Sequence, residues 1–204
     1  IGVGHHPSKG LRKGVVANIE STVRSIQSAI EEAELTAECQ IMSVYAGIAG
    51  AHISSFNSHG VVAIRNEEVI PMDVERVIES ARAIAIPTDQ KVLHILPQDF
   101  IIDGQHGIGE PIGMSGIRLE SKVHIITGAV SAIQNILKCI RRCGVDTDEV
   151  ILEPIASSLA VLEDDEKDLG VCLVDIGGGT TDIAIFSEGS IRHTAVLPIA
   201  GDQV

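Results

Sequence analysis

Aromatic side chains are almost missing from this sequence. Its 204 residues include one Tyr, three Phe and no Trp (Tyr45, Phe56, Phe100 and Phe186), which leaves little surface on which single-stranded bases could stack. Basic residues are also scarce: 15 Lys and Arg stand against 28 Asp and Glu, a formal net charge of −13. A binder of the phosphate backbone needs clustered Lys and Arg, so the two shortages together argue against nucleic acid as a partner. The four cysteines, at 39, 139, 143 and 172, are too few for a disulfide scaffold. Cys139 and Cys143 share a helix face, but no second Cys or His pair completes a tetrahedral metal site. Reduced thiols in a reducing compartment are the expectation. No apolar run approaches the roughly 18 residues of a membrane-spanning helix, and no basic and apolar leader precedes the first strand-like residues, Ile1 to Gly4. The two ends carry no initiating or terminating signal and read as cuts inside a larger protein.

What is present is ordinary globular material, 45% hydrophobic and 21% charged, of a length that suits one large domain or two small ones. Asn18 is placed to cap a helix whose apolar stripe is Ile19, Val23, Ile26 and Ile30, running to about Ala37. Ile41 to Ala49 reads as a buried strand. A second texture follows, with short β-like pieces at Gly60–Arg65, Lys91–Leu96 and Ser121–Thr127. They surround one helix that Asp73 would cap and Pro87 would end. Residues 103–116, with five glycines and one proline, read as a long loop. The first texture then returns. A helix from Val130 is closed by Gly144, a strand covers Val150–Glu153, and a small-residue helix opens at Pro154. The acidic run Glu163–Asp168 reads as a solvated linker. The pattern is an α/β domain interrupted by a smaller α+β module.

The strongest local signal runs from Gly170 to Phe186: an apolar strand, Asp175, then Gly177-Gly178-Gly179-Thr180-Thr181, then Asp182 and a second strand. Consecutive glycines let backbone N–H groups approach an anion without a Cβ in the way, and the threonines add hydroxyl donors. Two aspartates would repel bare phosphate, but they suit a hydrated Mg²⁺ lying between carboxylate and phosphates. A P-loop is excluded because no Lys follows the glycines. A dinucleotide fingerprint is excluded because Asp182 to Phe186 alternates like a strand rather than opening a helix. The eight histidines are scattered. His94 and His124 on strands, and His193 after the hairpin, read as packing or surface positions.

This hairpin resembles the second phosphate loop of the actin–Hsp70–sugar kinase superfamily, of form D-x-G-G-G-T-x-D. Leu152-Glu153-Pro154-Ile155-Ala156-Ser157-Ser158 is similar to that superfamily's connecting segment, in which a carboxylate at the position of Glu153 helps place the water that attacks the γ-phosphate. The dipole of the following helix offers Glu153 a second, structural role. Within the superfamily, the placement of residues 50–128 between a strand and a helix resembles the FtsA family of bacterial division proteins. So do Gly4 to Gly10, Val44 to Gly50, His94 to Gln98, Ser115 to Leu119, Lys122 to Thr127 and Arg192 to Thr194.

The resemblance implies an actin-like (ribonuclease H-like) ATPase fold, α/β, interrupted by a small α+β subdomain called 1C. Residues 1–49 and 129–169 would form most of subdomain 1A, 50–128 would be 1C, and 170–204 would open subdomain 2A. ATP and Mg²⁺ are the implied cofactors, with at most slow hydrolysis. Glu153 and Asp175 take the catalytic roles, Asp175 and Asp182 hold the metal through water, and Gly177, Gly178, Gly179, Thr180, Thr181 and Gly201 contact phosphate. Ala200, where the family often has Gly, would narrow the approach to the nucleotide. The implied partners are the tubulin-like FtsZ, further copies of the chain, and later division proteins through 1C. Localisation would be the cytoplasmic face of the inner membrane, held by a segment outside this sequence. The alternative is another ATPase or kinase of the same fold, of the Hsp70 or MreB kind.

Overall fold

The computed structural model describes residues 1–203. The chain begins with an extended segment rather than the expected strand, laid along the first helix, with the Val3 N–H donating to Thr36 Oγ1 at 3.1 Å. Two short strands follow, β1 (Leu11–Arg12) and β2 (Val15–Val16), then α1 (Ile19–Ala37). Asn18 caps α1 as its position predicts, its side-chain oxygen accepting the Ser21 N–H at 2.9 Å. Strand β3 (Ser43–Ile48) pairs in parallel with β8 (Asp146–Leu152), the connection between them carrying every element from β4 to α3. Ile26 and Ile30 of α1 and Ile136 and Ile140 of α3 (Val130–Arg142) pack with Ala46 and Val145 into one apolar cluster. Gly144, at φ +80°, closes α3 in the left-handed region that favours glycine.

Between β3 and α3 lies a four-stranded antiparallel sheet in the order β4-β7-β5-β6. Its strands are β4 (Ile53–Ala63), β5 (Gln90–Ile102), β6 (Gln105–Ile108) and β7 (Arg118–Ala129); β4, β5 and β7 are far longer than the short pieces expected from sequence, and β6 lies where a loop is expected. Hydrophobic alternation breaks where β5 carries two bulges, at Val92/His94 and Pro97/Asp99. Each bulge re-aims the side chains after it, so a strict period-two reading stops early. Pro97, with no N–H to give, sits at the second bulge. The glycine-rich stretch 103–116 is not all loop. Asp103-Gly104 turns β5 into β6, and the Asp103 carboxylate accepts the N–H groups of Ile117 and Arg118 at 3.0 and 2.9 Å.

Helix α2 (Pro71–Arg82) covers one face of this sheet. Asp73 occupies its third turn position rather than the cap, with its carboxylate receiving the Ile70 N–H at 3.3 Å and Arg76 at 2.7 Å. The helix stops at Arg82, ahead of Pro87.

After β8 come α4 (Glu153–Val161) and α5 (Asp164–Leu169). Glu153 is therefore the first residue of a helix and not the last of a strand. The acidic run is helical too, its start held by the Glu163 N–H donating to Glu166 Oε2 at 2.9 Å. Strands β9 (Val171–Ile176), β10 (Thr181–Ser187) and β11 (Ser190–Leu197) form an antiparallel meander, and a 3₁₀ turn covers Gly201–Gln203.

Close contact between α2 and β4 depends on Gly60, where an added Cβ would lie 2.1 Å from the Val77 carbonyl oxygen and 2.6 Å from the Ala81 nitrogen. Gly60→Ala should destabilise the chain by roughly 1–3 kcal/mol, the usual cost of overpacking. An unchanged midpoint in urea denaturation would show that the helix has more room than its backbone contacts allow.

Candidate functional site

Strands β9 and β10 turn tightly through Gly177 to Thr180, the turn closed by the Gly177 N–H donating to the Thr180 carbonyl at 2.9 Å. This is the strand–turn–strand expected from the sequence. The register places Asp182 directly opposite Asp175. Like charges directly across a ladder are destabilising. Asp182 is also only 2% exposed, and its Oδ1 has no hydrogen-bond partner. Burial pushes its pKa up, and the neighbouring Asp175 pushes the same way against a hydrogen bond from Thr180. Asp175 is better satisfied, since Ser157 Oγ donates to its Oδ2 at 2.7 Å.

Helix α4 supplies the third carboxylate. Its first turn sets Glu153 at the helix N-terminus, where the backbone dipole favours a negative charge. Gly47 at the end of β3 leaves the space: a Cβ there would lie 3.2 Å from Glu153 Cγ. Burial raises the Glu153 pKa, with Asp182 and then Asp175 adding to it. Three carboxylates from three elements thus converge, two of them holding their protons more tightly than free carboxyls do.

The opposite wall was not legible in the sequence. Lys13 and Gly14, at φ +52° and +75°, form the two-residue turn of a β1–β2 hairpin. Two successive positive φ values define the turn type that matches strand twist. Gly14 is obligatory here, because a Cβ would fall 2.3 Å from the Ala49 carbonyl oxygen. This turn comes up against the glycine loop: a Cβ on Gly179 would lie 3.6 Å from Lys13 Cα. Between the two turns is a cleft of about 610 Å³ whose walls include Arg12, Lys13, Glu153, Gly177 to Thr180 and Asp202. That volume suits a small-molecule ligand. Among the described residues, neither Arg12 nor Lys13 is in an ion pair. The only sequence cue is Lys13-Gly14 between Leu11-Arg12 and Val15-Val16, a weak form of the Asn-Gly hairpin signal.

Not every candidate faces the cleft. Thr181 starts β10 and gives its hydroxyl to the Ile199 carbonyl at 2.7 Å. Gly201 lies behind the loop, its N–H donating to the Gly177 carbonyl at 3.1 Å, and Asp202 N–H bonds the Gly178 carbonyl at 2.9 Å. These contacts brace the loop from outside. Ala200 is 4% exposed and packs inward, so its methyl does not narrow the cleft.

The residues fit a phosphate with an associated cation. The glycines leave the loop without side chains, an unpaired carboxylate oxygen of Asp182 is buried beside it, and the facing turn is basic. Among the described residues no three His, Cys, Asp or Glu side chains are grouped to bind a metal directly.

Because Glu153 and Asp182 hold protons more tightly folded than unfolded, the folded chain loses stability as pH rises from the ordinary carboxylate range through their raised values. Asp182→Asn and Glu153→Gln should therefore raise the melting temperature at pH 7 more than at pH 4. Equal effects at the two pH values would show that neither group is under electrostatic strain.

Comparison with known proteins bears on the family and the fold. The family model described as the SHS2 domain inserted in FtsA matches residues 50–127, and the model for cell division protein FtsA matches 172–204. Cell division protein FtsA of Pseudomonas aeruginosa is 67% identical over all 204 residues, and that of Neisseria meningitidis is 56% identical. The chain covers 49% of each, so it spans about half the length of the curated relatives it matches. Among solved structures, a chain of the PilM–PilN type IV pilus biogenesis complex superposes with a TM-score of 0.65 at 17% identity, over 96% of this chain and 53% of that one. The architecture is the α/β actin-like ATPase fold, interrupted by a small α+β insertion. With that fold, two matching family models and two thirds of its residues identical to one member along its whole length, the chain belongs to the FtsA family of bacterial cell-division proteins.

Proposed function

We propose that this chain grips the phosphates of ATP in an actin-like scaffold of the bacterial division ring. One observation carries the reading: the Gly177–Thr180 turn and the basic Lys13–Gly14 turn face each other across a cleft that Glu153 lines, with Asp182 and Asp175 close enough to Glu153 to raise its pKa. Gly178 and Gly179 expose backbone to an anion, and Thr180 contributes its hydroxyl. Lys13 supplies from across the cleft the positive charge that a P-loop carries within its own sequence. Magnesium bound with the nucleotide neutralises phosphate charge. Asp175 and Asp182 are placed to hold the waters of that cation, Asp175 itself being oriented by Ser157. Glu153, which lines the cleft and whose pKa is raised, is the carboxylate to accept a proton from an attacking water. Thr181 and Gly201 act by bracing the loop. Slow hydrolysis, or none, is sufficient for a scaffold.

Residues 1–49 and 129–169 serve as subdomain 1A, 50–128 as 1C, and 170–204 as the start of 2A. The relatives' shared name supports a role in division, and the resemblance extends it. The protein binds FtsZ, associates with its own kind, recruits later division proteins through 1C, and works at the cytoplasmic face of the inner membrane. No described helix is long and apolar enough to cross a membrane. A charge of −13 is repelled by anionic lipid, which favours attachment through a segment outside residues 1–204.

Nucleotide titrations of the intact protein test the site. Gly178→Val, which puts a branched side chain where a Cβ already lies 3.4 Å from the Asp202 carboxylate, should abolish Mg²⁺-dependent ATP binding. Lys13→Ala should weaken it about tenfold to a hundredfold, the effect of one charge-assisted contact. Full affinity in both variants would remove the phosphate assignment. Turnover measured alongside separates a scaffold from a chaperone-type ATPase or a kinase, and cells dependent on Gly178→Val should fail to divide.

A further inference from the structure

The inserted sheet reaches both walls of the cleft, and each time it does so with an imidazole. His94 follows the first bulge of β5, which turns it away from the α2 face, where Val92 and Ile95 are half-buried against Ala81 and Val123. Its Nε2 accepts the Leu152 N–H at 3.1 Å. Leu152 is wholly buried, and the next residue is Glu153. A ring nitrogen that accepts is unprotonated, so His94 is neutral with its proton on Nδ1; burial favours the same state against the opposing pull of Glu149.

His124 on β7 is 1% exposed and bonded at both nitrogens, Nδ1 to Asn57 Oδ1 at 2.7 Å and Nε2 to Thr194 Oγ1 at 2.9 Å. Asn57 Oδ1 also receives Gln98 Nε2 at 3.3 Å, which makes it an acceptor and assigns the ring proton to Nδ1. Nε2 is then left to accept the Thr194 hydroxyl proton. Two further bonds run along the same seam: Gln98 Nε2 to the Ile191 carbonyl at 2.7 Å and Ser55 Oγ to the Thr194 carbonyl at 3.0 Å. Thr194 belongs to β11, which pairs with the strand carrying Asp182 and leads into the segment whose Gly201 and Asp202 bond the glycine loop.

We propose that His94 and His124 are positioning residues, through which the inserted module sets the spacing between the Glu153 wall and the glycine-loop wall of the cleft. This rests on reading the cleft as a phosphate site. Neither imidazole touches that cleft. Each holds a backbone or hydroxyl group that is joined by a short run of chain to residues that do. The module and the cleft therefore act as one mechanical unit, and a load on one displaces the other.

The test uses the intact protein in four variants. Leucine at either position removes the acceptor, whereas glutamine can place an amide oxygen where Nε2 stands. Hydrogen exchange without nucleotide is the first readout. His94→Leu should speed exchange at 152–155, and His124→Leu at 177–182 and 196–202, while His94→Gln and His124→Gln restore slow exchange. Mg²⁺–ATP affinity is the second, with an expected loss of about five- to tenfold in each leucine variant, the effect of one buried hydrogen bond, and recovery in the glutamine variants. Changes confined to the inserted sheet, or equal losses in the leucine and glutamine variants, would overturn the proposal. Failure of the unsubstituted protein to bind ATP would instead overturn the phosphate reading, and the exchange comparison would still decide the positioning role.

Discussion

Three carboxylates that would repel one another in an empty, dry site are held together here, and much of the chain is arranged to tolerate that. Asp175 and Asp182 face across adjacent strands, and Glu153 enters from a helix N-terminus. Burial makes the arrangement costly, because a desolvated charge without a partner favours its neutral form. Such a cluster stores unfavourable electrostatics, which the cation and nucleotide of the proposed function would relieve. The helix dipole at Glu153, the Ser157 hydroxyl on Asp175 and the Thr180 contact to Asp182 each offset a part of the repulsion. The basic turn at Lys13 supplies the only cationic groups on the described cleft walls, Arg12 and Lys13.

Support for the cluster comes from outside it. The glycine loop has no side chains of its own with which to pack, so it is braced by Thr181 on Ile199 and by the N–H groups of Gly201 and Asp202. The Lys13–Gly14 turn is in turn seated on Ala49. The inserted sheet adds hydrogen bonds at Leu152 and Thr194, one beside each wall. Bulges in β5 make this possible, because they let one strand pack Val92 and Ile95 on the α2 face while His94 and Gln98 reach the opposite side.

The parts of the fold that could be read from sequence are those decided by local chemistry. Asn18 as a cap, Gly144 as a helix stop and the turn after Asp175 each follow from what a single residue does to its own backbone. The β-strands of the insertion were underestimated because bulges disturb the alternation on which such a reading depends. The acidic run reads as linker because its charge outweighs any apolar stripe, yet the Glu163 N–H donates to the Glu166 carboxylate and starts a helix. Asp73 reads as a cap but sits at the third position of the first turn, where its carboxylate accepts the Ile70 N–H before it rather than an N–H after it.

For the site, the sequence by itself determined the loop: an aspartate, three glycines, two threonines and a second aspartate between strands can hardly fold otherwise, since their conformational freedom and hydrogen-bonding groups are fixed by residue type. It also marked Glu153, through the proline and small residues that follow. Tertiary structure alone decided which of these face the cleft: strand pairing sets the direction of Thr181, and the 3₁₀ turn at Gly201–Gln203 places Gly201 against the Gly177 carbonyl. It alone decided where the missing lysine comes from. Lys13 and Gly179 lie near opposite ends of the sequence, and only the packing of two tight turns, each made possible by glycine, puts positive charge opposite the loop.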